Sequence, residues 1–577
     1  MENREIAAIF EEISSLIKIL QDDPKWNFKA AAYDRATRSI EGLPERLEDI
    51  ARDTSRKLTD IPGIGADLAK KITEIIETGQ SAYHQEQLAK VPRSLLDLLQ
   101  LQTVGPQKVR LFYRQANIHN VDELEAAAKE GRLRGLPGMS EKSEENILKA
   151  IEVFRRAAGR FRLNTAMETA EVLAAWLRDS KAVEEVTPAG SLRRGRETVG
   201  DLDLLVTGRD PASIADHFVK FPGIADILAK GEDKVSVKLK NDLQVDVRML
   251  DRSAYGAALM YFTGSKEHNV ALRDRAKRHG WKLNEYGLFH GDELLASRTE
   301  EEVYAKLGLP WIPPELRENL GEIEAAEKGE LPKLVELGDI RGDLQMHTTA
   351  SDGHASIAEM AGAAKQLGYQ YILITDHSKA VTVANGLDEK RAAEHIQRIH
   401  AARKNVKGIE IWAGSEVDIM GDGSLDYPNE LLKQFDIVLV SVHSRMNMPA
   451  DEMTARLLRA MENPYVRIMG HPTGRQVLRR DPFLFDLEKV FAAAKKFGVI
   501  LELNASPERL DLCDRHVKLA RDRGMKIIIS TDAHDPQHFK LMRYGVTTAR
   551  RGWMEKSGVL NTLPPEKLLA SLRALPT

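Results

Sequence analysis

Cysteine is nearly missing from this chain. Of 577 residues only Cys513 is a cysteine, which excludes an internal disulfide framework and fits a reducing cytosol. Long apolar runs are missing as well. None approaches the length of a membrane span, and Met1-Glu2-Asn3-Arg4-Glu5 does not read as a signal peptide, so no membrane partner is expected. An excess of positive charge is also lacking. With 83 Lys and Arg against 87 Asp and Glu, the formal net charge is −4. Composition therefore does not advertise nucleic-acid binding, and any basic track must be local, with the acidic excess elsewhere. What remains is an ordinary soluble mixture, 42% hydrophobic and 29% charged, long enough for several domains.

The most informative stretch is Ala189-Gly190-Ser191-Leu192-Arg193-Arg194-Gly195, followed at once by Gly200-Asp201-Leu202-Asp203-Leu204-Leu205-Val206. A Gly-Ser turn beside two arginines suits phosphate. Side chains alternate along a strand, so Asp201 and Asp203 share a face. A third acid lies in Leu243-Gln244-Val245-Asp246-Val247-Arg248-Met249, whose alternation reads as a half-buried strand with Asp246 on its polar face. Three carboxylates from two strands can cradle two divalent ions, which serve the attacking and leaving oxygens of a phosphoryl displacement. An Asp-x-Asp at a strand edge is by itself commonplace. Phosphate turn, acid pair and third acid within about sixty residues form the pattern of a nucleotidyltransferase palm.

Upstream, residues 1 to about 160 are rich in helix formers. Ile6, Ile9, Phe10, Ile13, Leu16, Ile17 and Leu20 form one helical stripe. Leu58-Thr59-Asp60-Ile61-Pro62-Gly63-Ile64-Gly65, then Leu68-Ala69-Lys70-Lys71-Ile72, reads as helix, hairpin and helix. Its glycines let the backbone close on a phosphate, where the second helix presents free amides. Such a contact carries no base information. A second copy surrounds Gly105 and Lys108, and Leu136-Pro137-Gly138-Met139-Ser140 is a weaker third.

The last 240 or so residues place metal-type side chains after apolar runs. His347 and Asp352 follow Asp343-Leu344-Gln345-Met346, and His377 follows Tyr371-Ile372-Leu373-Ile374-Thr375-Asp376. Glu416, His443, His471, Asp532 and His534 close the later strands. Near-continuous apolar strands alternating with helices predict a parallel sheet or barrel covered on both faces. Residues at successive strand carboxyl ends converge on one rim. Imidazole with carboxylate suits manganese, zinc or iron.

Tyr261-Phe262-Thr263-Gly264-Ser265, then Asn269 and Arg273, then Asn284-Glu285-Tyr286 resembles the nucleotide-selecting segment of family X DNA polymerases. That resemblance implies template-directed filling of DNA gaps. It makes Asp201, Asp203 and Asp246 the catalytic acids, holding Mg2+ or Mn2+. It makes Ser191 and Arg194 triphosphate contacts, and places Tyr261, Phe262 and Gly264 beside the incoming nucleotide. Asn269 becomes the base-edge contact and Arg273 the template-side contact. Gly63, Gly65, Lys71, Gly105 and Lys108 become DNA contacts, with a monovalent cation at the hairpins. Lys266 departs from the family, where eukaryotic relatives usually carry an acid. Lys71 falls where many relatives carry a Schiff-base lysine, but Asp67 stands where a basic residue is common. The expected role of the small domain is binding a 5′ phosphate.

The terminal region resembles the polymerase-and-histidinol-phosphatase (PHP) domain, a distorted seven-stranded βα barrel that hydrolyses phosphoesters. That implies two or three divalent metals (Mn2+, Zn2+ or Fe2+) on His347, Asp352, His377, Glu416, His443, His471, Asp532 and His534. Gln345 departs where the family often has a second histidine. Arg445 and Arg509 are candidates to grip substrate phosphate.

The fold class expected is multidomain α+β and α/β. Its parts are a DNA-end-binding domain at 1–90, fingers at 91–160, a palm at 161–250 and a thumb at 251–317. A linker with a short helix at 318–338 precedes the barrel at 339–577. The expected function is gap filling in base excision repair with 3′–5′ exonuclease and abasic-site cleavage, in a bacterial or archaeal cytosol. Its partners are gapped or primed DNA with a 5′ phosphate and deoxynucleoside triphosphates, bound by a monomer. A template-independent transferase is disfavoured by the hairpins and Arg273, and a scaffold by the complete acid triad.

Overall fold

The computed structural model describes residues 3–21, 25–41, 43, 46–53 and 55–573, so Met1 and Glu2 of the opening segment lie outside it. The chain forms two compact units. One comprises residues 1–158 with 478–480, and the other 159–477 with 481–577.

The described secondary structure up to residue 157 is helical. The helix Asn3–Leu20 buries Ile6, Phe10, Ile13, Leu16 and Ile17, the stripe expected from spacing. Ile9 is half-buried and packs at the edge of the same core. The predicted hairpins adopt similar local forms. A short 3-10 turn, Leu58–Asp60, precedes the helix Ala66–Thr78. The helix Leu95–Leu99 precedes Pro106–Ala116. The turn Leu133–Gly135 precedes Glu141–Ala157, whose Ser140 cap accepts from the Ser143 amide.

The second unit begins with a five-stranded sheet. Its spatial order is Val183–Pro188, Asp201–Gly208, Gln244–Leu250, Lys234–Leu239, Ile224–Lys230. Only the pair Asp201–Gly208 and Gln244–Leu250 is parallel. Helices Leu163–Arg178 and Pro211–Phe218 contribute Leu173, Leu177, Ile214 and Phe218 to its core.

Next come Tyr255–Thr263, Lys266–Arg278, a small antiparallel sheet and Glu300–Lys306. Arg317, fully buried, donates to Glu300 at 2.6 and 3.1 Å and to the Ile312 carbonyl at 2.8 Å. Arg193 reaches the same carboxylate at 2.7 and 2.8 Å. Glu300 is therefore held well below the usual carboxylate range. Burial opposes the shift, and the two guanidiniums outweigh it. Removing one partner from such a buried group costs about 3–5 kcal/mol.

The segment expected as a linker with a short helix does contain one, and it packs on its neighbours. Its helix Glu322–Lys328 sends Ile323 and Ala326 into the same core. Glu322, fully buried, lies 2.6 Å from Nδ1 of His268, whose Nε2 is 2.9 Å from the Tyr304 hydroxyl. Glu318 and Glu322 of this segment have arginine and imidazole partners that local sequence does not display.

The last domain is a seven-stranded parallel sheet in sequential order, from Gly342–Asp343 through Tyr371–Ile374, Glu410–Asp418, Ile437–Ser441, Val466–Met469 and Ile500–Asn504 to Ile527–Ser530. A parallel bridge between Met346 and Ala533 brings its two ends together into a nearly closed barrel. Alternate residues point to opposite faces. Ile372 and Ile374 join the core under the helices, whereas Tyr371 and Leu373 join a second cluster with Leu568 and Leu572 of the helix Pro565–Arg573.

Candidate active sites

The parallel pairing sets the first site. Its register aligns Asp203 with Asp246, and Asp201 with Gln244. Asp201 is exposed, Asp203 half-buried and Asp246 buried. Burial, then the charges of Asp201 and Asp246, push Asp203 up to about 6. Relative to its ordinary value of 3.8, that is about 3 kcal/mol against ionisation, which a bound cation would relieve. Asp246 shifts downward instead. Burial alone would raise it, but Lys234, at 2.6 Å, and hydrogen bonds from Ser236 and Gln244 hold its carboxyl low. Asp246 stands on the polar face of its strand, alternating with the core residues Val245 and Val247, and is buried there among polar neighbours from its own and the adjoining strand.

The phosphate turn is a single short helix, Gly190–Arg193. Gly190 has a φ of 60° and lies directly against the Asp203 carboxylate, so a side chain there would displace the acid. Ser191 is half-buried beside it. The two arginines diverge. Arg193 is committed to Glu300 and to the Thr263 hydroxyl at 2.6 Å. Arg194 donates Nε to Glu318 at 3.1 Å and Nη1 to the Thr263 carbonyl at 2.5 Å. Gly264 is adjacent, close enough that an added Cβ would stand 3.2 Å from Arg194 Nη1.

Tyr261 and Phe262 form an edge-to-face pair at 5.2 Å, and the Arg248 guanidinium lies 4.4 Å above the Phe262 ring. Asn269 donates to the Tyr261 carbonyl at 2.6 Å, while its own Oδ1 is buried without a partner among the described residues. Arg273 lies one turn along the same helix and donates to the Asn269 carbonyl at 3.3 Å. Lys266 opens that helix. Triphosphate, sugar and base-side candidates therefore adjoin one another through Thr263, Gly264 and Asn269.

The barrel rim gathers all eight expected ligands. Glu416 is the hub. Its Oε1 lies 2.8 Å from His471 Nε2 and 3.2 Å from His443 Nε2. Its Oε2 lies 3.4 Å from both His347 Nε2 and His377 Nδ1. Asp532 Oδ1 is 3.1 Å from His347, and Asp352 Oδ2 is 3.4 Å from His534 and 3.6 Å from His377. Three overlapping groups have donor atoms within 4.8 Å of one another: His347, Asp352, His377, His534; His377, Glu416, His443; and His347, Glu416, Asp532.

Burial and electrostatics match that density. Burial would raise Asp352, but His534, His347 and His377 hold it at about 2. His377 falls to about 4, chiefly through burial. Nδ1 of His347, His377 and His471 and Oε2 of Glu416 are buried without a hydrogen-bond partner among the described residues. Unpaired buried lone pairs converging from imidazoles and carboxylates are what a cation site requires, so the donor set fits divalent metals.

Three further residues escaped the sequence reading. Asp376 accepts from the amides and hydroxyls of Thr348 and Ser351 and pairs with His395 at 2.8 Å, pinning the loop that presents Asp352. Asp418 accepts from the His443 amide at 3.0 Å and stands 3.1 Å from its Nδ1. Glu502 accepts from the His471 amide at 2.6 Å. An acid one or two positions from a ligand was the available signal for the first two. Gln345 is fully buried, and both its amide atoms lack partners among the described residues. Arg509 reaches Asp532 at 3.5 Å, but Arg445 instead packs over Gly421.

In the helical unit, Gly63 takes a φ of 82°, and Gly65 and Gly105 each stand at a helix N-cap without a side-chain cap. Those free amides suit a phosphate. Lys108 donates to the Thr103 carbonyl at 2.8 Å, and a cavity of about 650 Å³ opens beside Gly105, Lys108, Arg110 and Lys18. Lys71 is paired with Asp67 at 2.6 Å and lies 5.5 Å from the Tyr83 ring.

Comparison with known proteins follows this division. Residues 258–318 match the DNA polymerase beta thumb family, and residues 343–505 the PHP domain. Residues 1–81 match a helix-hairpin-helix domain and 95–152 a SAM-like helix-hairpin-helix tandem. The DNA polymerase/3′-5′ exonuclease PolX of Bacillus subtilis (strain 168) is 37% identical over 565 residues, 97% of each chain. A probable phosphatase of Thermoanaerobacter sp. (strain X514) is 35% identical over 204 residues, 33% of this chain and 78% of its own length. A crystal structure of Leishmania infantum polymerase beta in a ternary complex covers 39% of this chain and 98% of that one at 22% identity. Its TM-score of 0.26 is too low to carry an argument.

Proposed function

This chain belongs to the PolX family of DNA polymerase/3′-5′ exonucleases, and from that premise we propose that it fills short gaps during base excision repair and trims 3′ ends through its barrel. The observation that carries the polymerase reading is the alignment of Asp203 with Asp246 beneath the Gly190–Arg193 turn. Asp201, Asp203 and Asp246 would hold Mg2+ or Mn2+, and the barrel ligands two or three of Mn2+, Zn2+ or Fe2+. Bound at the two sites, these ions supply charge neutralisation and Lewis-acid polarisation of phosphoryl oxygens.

The chain's own groups do the positioning that phosphoryl transfer depends on. Ser191 and Arg194 orient the triphosphate, Tyr261 and Phe262 wall the sugar, and Asn269 meets the base edge. Arg273 reaches the template side. In the barrel, Arg509 beside Asp532 grips the phosphodiester being cut. Abasic-site cleavage is a second reaction for the same cluster. The free amides after Gly65 and Gly105, with Lys71 and Lys108, grip the DNA backbone and the 5′ phosphate at a gap, with a monovalent cation at the hairpins. We place the protein in the bacterial or archaeal cytosol as a monomer. Among the described residues no helix is long and apolar enough to cross a membrane.

A primed gap of defined sequence tests the reading. Addition of only the templated nucleotide is expected, and untemplated addition would overturn it. Affinity for gapped DNA should fall steeply with salt despite the acidic net charge, because the clamp displaces counterions. A 5′ phosphate should tighten binding. A flat salt response, or equal affinity for a 5′ hydroxyl, would reject the backbone-clamp role.

A further inference from the structure

The helix Met542–Arg551 follows the last barrel strand, yet it packs beneath the phosphate turn of the five-stranded domain. Its Tyr544 is buried in that domain's hydrophobic core. Gly195, with a φ of 66°, lies so close to Thr547 that an added Cβ would overlap the threonine methyl. On its other side, Gly545 sits against Ala505 and Ile529 of the barrel. The helix is thus wedged between the two catalytic domains.

Arg551, only 8% exposed, ends this helix. Its Nη1 donates to the Arg194 carbonyl at 2.7 Å and to Glu318 Oε1 at 3.0 Å. Its Nε and Nη2 donate to Asp514 at 2.9 and 2.8 Å, which anchors the guanidinium to the barrel. The same Glu318 oxygen takes the Arg194 Nε at 3.1 Å and lies 3.8 Å from Arg196. Beside it, Arg550 binds Glu315 at 2.6 Å. One carboxylate oxygen therefore faces three guanidiniums. Three guanidiniums, Arg194, Arg196 and Arg551, here face two carboxylates, Glu318 and Asp514. With Arg551 in place, Glu318 orients Arg194 while the group keeps a positive excess at the turn, and without it the charges would cancel.

We propose that Arg551 of the nuclease domain is a positioning residue for the incoming nucleotide's triphosphate, acting through Glu318 and the Arg194 backbone. The inference rests on the reading of Arg194 as a triphosphate contact. Gap filling by the full chain therefore depends on a residue that lies outside the polymerase segment of the sequence.

The experiment is steady-state single-nucleotide gap filling by full-length Arg551→Gln, Arg551→Lys and Arg194→Gln, with nuclease activity on 3′-ended single strands measured in parallel. Arg551→Gln should raise the KM for the nucleotide about fivefold or more, the range of a typical coupling between sites. Its kcat should stay within about twofold, because the interaction lost is with bound nucleotide rather than the reacting atoms. Nuclease activity should match the parent, which also reports that the chain is folded. Arg551→Lys, keeping the charge, should recover part of the KM. In a Glu318→Gln background, with the competing carboxylate neutralised, the Arg551→Gln penalty should shrink. An unchanged KM in Arg551→Gln, or a penalty of equal size with and without Glu318, would overturn the proposal. If Arg551→Gln fails to fold, parental KM in Arg551→Lys alongside parental KM in Glu318→Gln would overturn it equally. If Arg194→Gln leaves the nucleotide KM unchanged, the underlying reading of Arg194 fails. If Arg194→Gln raises KM while Arg551→Gln does not, only the present inference fails.

Discussion

In the five-stranded domain three carboxylates gather on adjacent strands, with Lys234 the only cation among the described residues paired to them by a salt bridge. In the barrel, three of the expected ligands are carboxylates and five are imidazoles, interleaved around Glu416. The first arrangement buries like charges together, so burial first, and then the charges of Asp201 and Asp246, push Asp203 up to about 6. The second is self-neutralising: Asp352 rests near 2 because histidines surround it, even though burial opposes the shift. A pocket of the first kind needs its cations to be electrostatically settled. A pocket of the second kind can hold its shape by mutual pairing before metal arrives, at the cost of protons that must leave when the metal binds.

The difference can be broken most sharply by removing one ligand from each pocket. Asp203→Asn should abolish gap filling and leave hydrolysis of 3′-ended DNA near the parent rate. His347→Ala or Asp532→Ala should do the reverse. Both activities measured on each variant check this double dissociation, and residual synthesis by Asp203→Asn near the parental rate on a single-nucleotide gap would remove that acid from the mechanism.

A smaller effect should come from the residues that hold ligands rather than bind metal. Asp418→Asn loses the carboxylate that orients His443. Nuclease activity or metal affinity should drop by about 10- to 100-fold, as is usual for such outer partners. Gap filling should be untouched. A metal titration with the parental midpoint and rate would show that His443 is oriented by other means.

The smallest effect concerns Gln345, whose buried amide has no partner among the described residues. If the missing imidazole weakens one metal, Gln345→His should lower the manganese needed for half-maximal nuclease activity. Titrations of parent and variant on 3′-ended single strands decide it, and an unchanged midpoint would mean this position does not limit metal binding.

Most of the candidate ligands were legible because they stand at the end of an apolar run or two residues from another acid, and Asp246 because it sits in an alternating strand. Both patterns are local, and strand periodicity and parallel topology carry them to one rim or one strand pair. The helix-hairpin-helix turns were legible for the same reason, down to the third copy, which the weaker Leu136-Pro137-Gly138 spacing marked only faintly. Asp376 and Asp418 were not legible as supports, since an acid one or two positions from a candidate ligand looks the same whether it faces metal, a loop amide or solvent, and Glu502, 31 positions from the His471 amide it holds, carried no local signal at all. The divergence of Arg193 from Arg194 was also hidden, because their partners Glu300 and Glu318 lie 107 and 124 residues away.

What the sequence by itself determined, then, is the chemistry: which side chains can bind phosphate or metal, and on which face of which element they fall. Backbone periodicity acts over a few residues, so those assignments need no knowledge of the fold. What only the tertiary structure decided is which charges meet. The 318–338 stretch reads as a charged linker with a short helix, and only packing sets Glu322 against His268. Arg551 is one basic residue among many until packing sets it on Glu318, 233 positions earlier in the chain. Desolvated ion pairs depend on separations of a few ångströms in space, and no spacing along the chain encodes those separations.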